Sequence, residues 1–377
     1  MSHDHSLHAE AGLHTAPEYT LPEILRQPVL WPVTLERVRS ASQRLQLAAK
    51  LQQARVLLTG AGTSAYAAAS VASAWPRACA VPTTDLLVDA ERYLVDVDAV
   101  ISLARSGDSP ESTAVVERVR ALRPDILQVA IVCNADGALS HSSLDEIITL
   151  DPRTNDQGLV MTGSFSNLVL AGMALAQEQA VAATVNELSA RAAALLPDID
   201  RASRRVADRT HDRIVILSSS PLLGWAREAG LKTLEMTAGH FPVSTETHLG
   251  LRHGPMSFVK EDTLVLSLLS SDPVRRRYEE DVIRELRTKK IGYLVGIVDP
   301  ADANGLFDEI IPAVAPRTSD ALRTPYEILG PQLIGYHLSL GIGLNPDNPS
   351  PNGVINRVVQ GVRIYPAHPA DAVTSNL

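Results

Sequence analysis

Cysteine is nearly missing: Cys79 and Cys133 are the only two in 377 residues, far apart and without CxxC spacing. That excludes a disulfide framework and a thiolate zinc site, and two free thiols in a reducing compartment are expected. Net positive charge is missing too. With 34 Lys and Arg against 43 Asp and Glu the chain carries −9, leaving no general positive field for nucleic acid or an anionic membrane. An anionic ligand would have to be caught by a local site. No uninterrupted apolar run reaches the ~18 residues of a membrane span, and the N-terminal MSHDHSLHAEAGLH has neither the basic start nor the apolar core of a signal peptide. A cytoplasmic location is expected, with His3, His5, His8 and His14 on a solvated tail rather than at a metal site. No compact His/Asp/Glu ligand set appears, so neither a metal nor another cofactor is expected.

What is present is ordinary globular composition, 45% hydrophobic and 20% charged, over a length that suggests two domains. A weak internal repeat organises that length. VLLTGAG at 56–62 has a counterpart in IVILSSS at 214–220, SLARSGD at 102–108 echoes SLLSSDP at 267–273, and VAIVCNADG at 129–137 echoes LVGIVDPAD at 294–302. The same three strand ends recur in the same order, separated by helical stretches such as PESTAVVERVRAL and RRRYEEDVIRELRTKK. The alternation predicts an α/β chain of two tandem units with parallel sheets covered on both faces. We place an N-terminal arm at 1–45, a first unit at 46–200 and a second at 201–377, with a linker near the charged stretch LLPDIDRASRRVADRTHD. Pro17, Pro22, Pro28 and Pro32 predict an arm of helix and coil.

Two loops have the chemistry of an anion cradle. After the apolar run 99–103, Ser109 can cap a helix that starts at Pro110, bringing Ser106, Gly107 and Ser109 to its N-terminus. After the first strand, Gly60, Gly62, Thr63 and Ser64 stand at another helix start. Free N–H groups, the helix dipole and hydroxyls can hold a phosphate without a basic patch, and adjacent strand ends would converge on one crevice. The bland alternative is a pair of capped turns. GAGTSA also fits a loose dinucleotide fingerprint, with Asp85 as a ribose acid, but that leaves the second loop unexplained and has no counterpart in the repeat.

In WAREAGLKTLEMTAGHF, Glu228, Lys232 and Glu235 share one helical face. Such a stripe is often a solvated ion pair. Here it is followed by HLGLRHGPMSF, where Gly254 and Pro255 present His253 on a turn. A carboxylate and an imidazole suit proton transfer between adjacent carbons and opening of a sugar ring.

Taken in order, GAGTSA, SLARSGDSPES, EAGLKTLE and LRHGP resemble the tandem sugar isomerase (SIS) domains shared with the isomerase half of glucosamine-6-phosphate synthase. GLRHGPMSF with SLGIGLNPDNPSPNGVINRVVQGVRIYP looks more like the galactosamine-6-phosphate deaminases, also called tagatose-6-phosphate ketose/aldose isomerases. The resemblance spans roughly residues 45 to 366. It implies two three-layer α/β/α sandwiches of flavodoxin-like topology and a sugar-phosphate substrate. Ser64, Ser106 and Ser109 would bind phosphate, in loops that also hold Gly62, Thr63, Arg105 and Gly107. Glu235 would carry the proton between C1 and C2, with Glu228 and Lys232 lining the site. His253 would come from the neighbouring subunit of a homodimer. Arg105 and Ala104 depart from the synthase loop, and the synthase's amidotransferase half and C-terminal lysine have no counterpart. Deamination or plain isomerisation fits those absences better than amino-sugar synthesis, and the resemblance makes galactosamine 6-phosphate deamination to tagatose 6-phosphate the expected reaction. Plain aldose/ketose isomerisation and a non-catalytic sugar-phosphate sensor remain the alternatives. Asn356 and Arg357 fall in a segment expected to be a turn and edge strand, within possible reach of a ligand.

Overall fold

The computed structural model describes residues 18–350 and 352–365; the histidine tail lies outside the described residues. Helices α1 (Thr20–Leu25), α2 (Gln27–Leu45) and α3 (Leu47–Leu51) precede a sheet of β1 (Val56–Thr59), β2 (Ala78–Ala80), β3 (Ala99–Ala104), β4 (Leu127–Val132) and β5 (Glu146–Thr149). Its crossovers contain α4 (Thr63–Ser73), α5 (Thr83–Val88), α6 (Ala90–Tyr93) and α7 (Pro110–Leu122). The long helix α8 (Gly163–Ala207) leads to a second sheet of β6 (Arg213–Ser218), β7 (Val243–Thr247), β8 (Thr263–Leu268), β9 (Tyr293–Val298) and β10 (Glu309–Pro312). Around it lie α9 (Leu223–Met236), α10 (His248–Leu251), α11 (Pro273–Lys289), α12 (Asp320–Glu327) and α13 (Leu329–Gly341).

Every strand pairing is parallel, in the orders β2-β1-β3-β4-β5 and β10-β9-β8-β6-β7. Read from opposite edges these are one topology, the flavodoxin-like order. The repeated motifs supply β1 and β6, β3 and β8, β4 and β9, which hold matching places in the two sheets. Central strands such as AVISLA and TLVLSL are buried along their whole length, as helices on both faces require.

One apolar core runs through both sheets. Trp31 of α2 meets Tyr326 of α12 edge to face at 5.0 Å between ring centroids, and its indole N–H donates to Ser166 Oγ at 3.1 Å. The helix α8 is long and apolar enough to cross a membrane, yet Phe165, Leu168, Leu170 and Met173 are buried among α2, α4, α12 and α13.

Two expectations are corrected. The arm is not proline-limited coil: α2 runs through Pro32 for 19 residues. Pro28 sits in the first turn, where an N–H has no intrahelical acceptor. Pro32 cannot donate to the Pro28 carbonyl, and that oxygen accepts the Ser189 hydroxyl from α8 at 2.5 Å instead. Within the charged stretch α8 continues through Pro197 to Ala207, so the 200/201 boundary falls inside the helix, and the change to β6 comes at 208–212. Its kink is at Gln177, with φ −147° and ψ 58°, whose side chain donates to the Ala74 carbonyl.

Candidate active site

The strands β1 and β3 are neighbours whose crossovers lead to opposite sides, so their C-terminal ends border the crevice where doubly wound sheets bind ligands. Gly62 caps α4 at φ 56° and ψ −126°, a conformation that a side chain would strain. Gly107 turns the second loop at φ 73°. That loop is propped from behind: Leu139 N–H donates to the Gly107 carbonyl at 2.8 Å, and the Asn134 amide donates to the Ser106 carbonyl at 3.1 Å. Ser109 stands at the N-cap of α7 with Pro110 following, and its hydroxyl donates to Glu111 at 2.5 Å rather than capping the helix. The two helix starts face a cavity of about 480 Å³ whose wall includes Gly62, Ser64, Ser106, Gly107, Ser109 and Ser112. Each helix terminus favours an anion by ~0.3–1 kcal/mol when exposed, and more when part-buried. A groove of about 560 Å³ between α2 and β5 holds Glu36, Arg37 and Arg44 and includes neither glycine loop.

Across the cavity, α9 delivers the charged stripe. Glu235 lies on the cavity wall with its side chain 24% exposed. Lys232 and Glu228 are fully buried behind it and do not reach the wall. Lys232 Nζ makes a short ion pair with Glu235 and lies 3.4 Å from Glu228 Oε1. Burial opposes the Lys232 ammonium, but Glu228 and Glu235 outweigh it and raise its pKa. Burial pushes Glu228 up to about 8, with Lys232 acting against it. Lys232 also offsets the unfavourable place of the Glu235 carboxylate near the end of α9, where the helix dipole repels negative charge.

Thr63 departs from its expected role. Its side chain is not on the cavity wall; Oγ1 accepts from Lys232 at 3.0 Å and donates to Glu228 Oε1 at 3.3 Å. Arg105 is on the wall, yet three of its hydrogen bonds go to the carbonyls of Gly158, Leu159 and Arg357. Burial lowers its pKa, as does the neighbouring Arg357. His253 is exposed, on a turn ahead of Gly254 at φ 122°, and is not among the residues lining the cavity. Within one chain the structure therefore unites Gly62, Ser64, Arg105, Ser106, Gly107, Ser109 and Glu235, backs Glu235 with Lys232, Glu228 and Thr63, and leaves His253 outside.

The C-terminal segment forms no strand among the described residues. Instead Val354 to Gln360 pass along the cavity, with Asn356 and Arg357 on its wall. The Arg357 guanidinium donates to the Asp156 carbonyl at 2.6 Å and to Asn155 Oδ1 at 2.8 Å. Asp156 in turn accepts from the Ser164 N–H and hydroxyl at 2.8 and 2.6 Å, fastening this loop to the first turn of α8. Sequence reasoning missed Thr84, Ser112 and Met161 on the wall. Ser112 was legible from its place in the first turn after Pro110, whereas Met161 comes from a loop without regular structure and carries no local signal.

The equivalent place in the second sheet is closed. There the loop between β8 and α11 is one residue shorter than the loop between β3 and α7, and the Asp320 carboxylate of α12 sits on it. Asp320 accepts from the Ser271 N–H at 2.8 Å, the Ser270 and Ser271 hydroxyls, Arg275 and Arg323. A carboxylate of the chain already fills the position where the first sheet leaves room.

No family model matches the chain. The D-galactosamine-6-phosphate deaminase AgaS of Shewanella sp. strain ANA-3 is 35% identical over 367 residues, covering 92% of this chain and 92% of that protein. The protein of the same name from Escherichia coli is 33% identical over 368 residues, 92% of this chain and 96% of its own length. The crystal structure of tagatose-6-phosphate ketose/aldose isomerase from Escherichia coli superposes with a TM-score of 0.82 at 29% identity, covering 94% of this chain and all of that one (100%).

Proposed function

The chain belongs to the AgaS family of galactosamine-6-phosphate deaminases and is a phosphosugar isomerase/deaminase, and from that premise we propose that it converts galactosamine 6-phosphate to tagatose 6-phosphate and ammonia with Glu235 as the proton carrier. The observation that carries the reading is the opposition, across one cavity, of two helix N-termini and the Glu235 carboxylate held by a buried lysine.

The substrate phosphate docks on the α4 and α7 starts, against Ser64, Ser106, Gly107 and Ser109. The open-chain sugar extends toward Glu235, which removes the proton from C2 to give a C1–C2 enolamine. Returning that proton to C1 leaves a C2 imine. Water adds to the imine carbon, the C–N bond breaks, and ketose and ammonia leave. Lys232 orients the Glu235 carboxylate through their ion pair before the first step.

Ring opening in this reading belongs to His253 of a second subunit, supported by its exposure on a turn outside its own cavity. Mixed dimers of inactive His253→Ala and inactive Glu235→Gln chains are then expected to regain activity. No recovery after verified subunit exchange would remove the shared site.

The test is ammonia release from galactosamine 6-phosphate and glucosamine 6-phosphate, with ketose 6-phosphate measured alongside. Ammonia and ketose in equal amounts from the galacto sugar is the expected result. Solvent deuterium entering C1 or C2 of a nitrogen-free hexose 6-phosphate without ammonia would make it an isomerase instead. Binding without either reaction would make it a sensor.

A further inference from the structure

A hydroxyl has one proton to give. In Thr63 that proton is already directed: Oγ1 accepts from Lys232 Nζ at 3.0 Å and donates to Glu228 Oε1 at 3.3 Å, and Lys232 to Glu228 closes the triangle at 3.4 Å. All three groups are buried, with Thr63 itself 4% exposed. The hydroxyl that follows the glycine turn is thus unavailable to a phosphate, although Gly62 and Ser64 on either side face the cavity.

We propose that Thr63 is a positioning residue of the acid-base machinery rather than a phosphate ligand. This rests on the reading of Glu235 as the proton carrier. Lys232 must point at Glu235, yet a second carboxylate, Glu228, lies one helical turn away on the same face and competes for the ammonium. By accepting from Lys232 and donating to Glu228, Thr63 answers part of the demand of both groups. It keeps the ammonium between the two carboxylates instead of collapsed onto Glu228, whose Oε2 has no hydrogen-bond partner. The residue lies in the first turn of α4, next to the anion-binding turn, and the charges lie on α9 of the other repeat. One threonine therefore connects the part of the site that holds phosphate to the part that moves protons.

Three measurements on the full chain test it. Thr63→Val, near in shape but without the hydroxyl, is expected to lower kcat by at least ~10-fold while KM stays within about 3-fold, and to displace the pH profile of kcat. Thr63→Ser is expected to restore kcat to within about 3-fold. Inorganic phosphate is expected to raise the Tm of wild type and Thr63→Val equally. A raised KM with unchanged kcat, or loss of the phosphate-induced Tm shift in Thr63→Val alone, would make Thr63 a ligand contact and overturn the proposal. The third measurement does not depend on turnover: a thermal-unfolding cycle of Thr63→Val, Glu228→Gln and the double variant. Non-additive Tm changes are expected from a shared network, and additive changes would overturn the linkage even if the chain proved to act on another sugar phosphate. Should wild type release no ammonia, the deaminase reading falls by itself, and this cycle still decides the role of Thr63.

Discussion

Arg105 donates from its guanidinium to the carbonyl oxygen of Arg357, which joins the loop after β3 to the C-terminal segment 252 residues later. The same side chain holds the Gly158 and Leu159 carbonyls, and Arg357 reaches back to Asn155 and Asp156. One planar, multidonor group ties three separate stretches of chain along one side of the cavity.

Replacing that group by a point charge tests the tie. Lysine keeps the charge of Arg105 but cannot span three carbonyls. Arg105→Lys is expected to raise KM for the sugar phosphate by ~10-fold with a smaller effect on kcat, as seen in steady-state kinetics, because the wall loosens while Glu235 and Lys232 are untouched. An unchanged KM would detach the C-terminal segment from substrate binding.

Glu235→Gln keeps the shape and removes the proposed proton carrier. Turnover is expected to fall by at least ~100-fold, while the Tm increase on adding a hexose 6-phosphate persists. Activity within a few-fold of wild type would exclude Glu235 from the proton transfer.

Asp320 gathers Arg275, the buried Arg323 and two serine hydroxyls. Asp320→Ala leaves the Arg323 guanidinium, 2% exposed, with Glu327 as its remaining carboxylate, and a loss of ~3–5 kcal/mol is expected in denaturant unfolding. A loss below 1 kcal/mol would mean that the cluster relaxes around water at little cost.

Glu23 accepts the Gln157 N–H at 2.6 Å, and burial, aided by the nearby Asp156, pushes its pKa up to about 7. A carboxyl raised in the folded state binds its proton more tightly there than when unfolded. Its contribution is full below pH ~4.5 and is lost as pH rises through about 7. Unfolding free energies of wild type and Glu23→Gln from pH 5 to 7 are expected to diverge by ~1 kcal/mol per pH step, with wild type falling faster. Parallel curves would place the Glu23 pKa near its ordinary value.

Much of the fold was legible because its signals are local. A parallel strand covered on both faces must be apolar throughout, so VLLT, AVISLA and TLVLSL announce themselves, and a serine-proline step or a glycine at positive φ announces a helix start. The arm was misread for a reason that is not local: Pro32 breaks a helix unless its orphaned carbonyl finds another donor, and Ser189, far along the chain, provides one. The 200/201 boundary was set inside a helix for a related reason, since charged exposed residues between apolar ones describe one face of a long helix as well as a loop.

By itself the sequence determined the two parallel units, the hydroxyl-bearing helix starts and the stripe Glu228, Lys232, Glu235, because each depends on spacing within a few residues. Only the tertiary structure decided which of those groups meets the cavity. It set Glu235 on the wall and Lys232 behind it, turned Thr63 away from the cavity, placed Asp320 on the equivalent loop of the second sheet and laid the C-terminal segment beside the first. Each of these involves a partner 49 to 252 residues away, and the energetic cost of leaving a buried charge or hydroxyl unpaired selects that partner only once the core has closed around it.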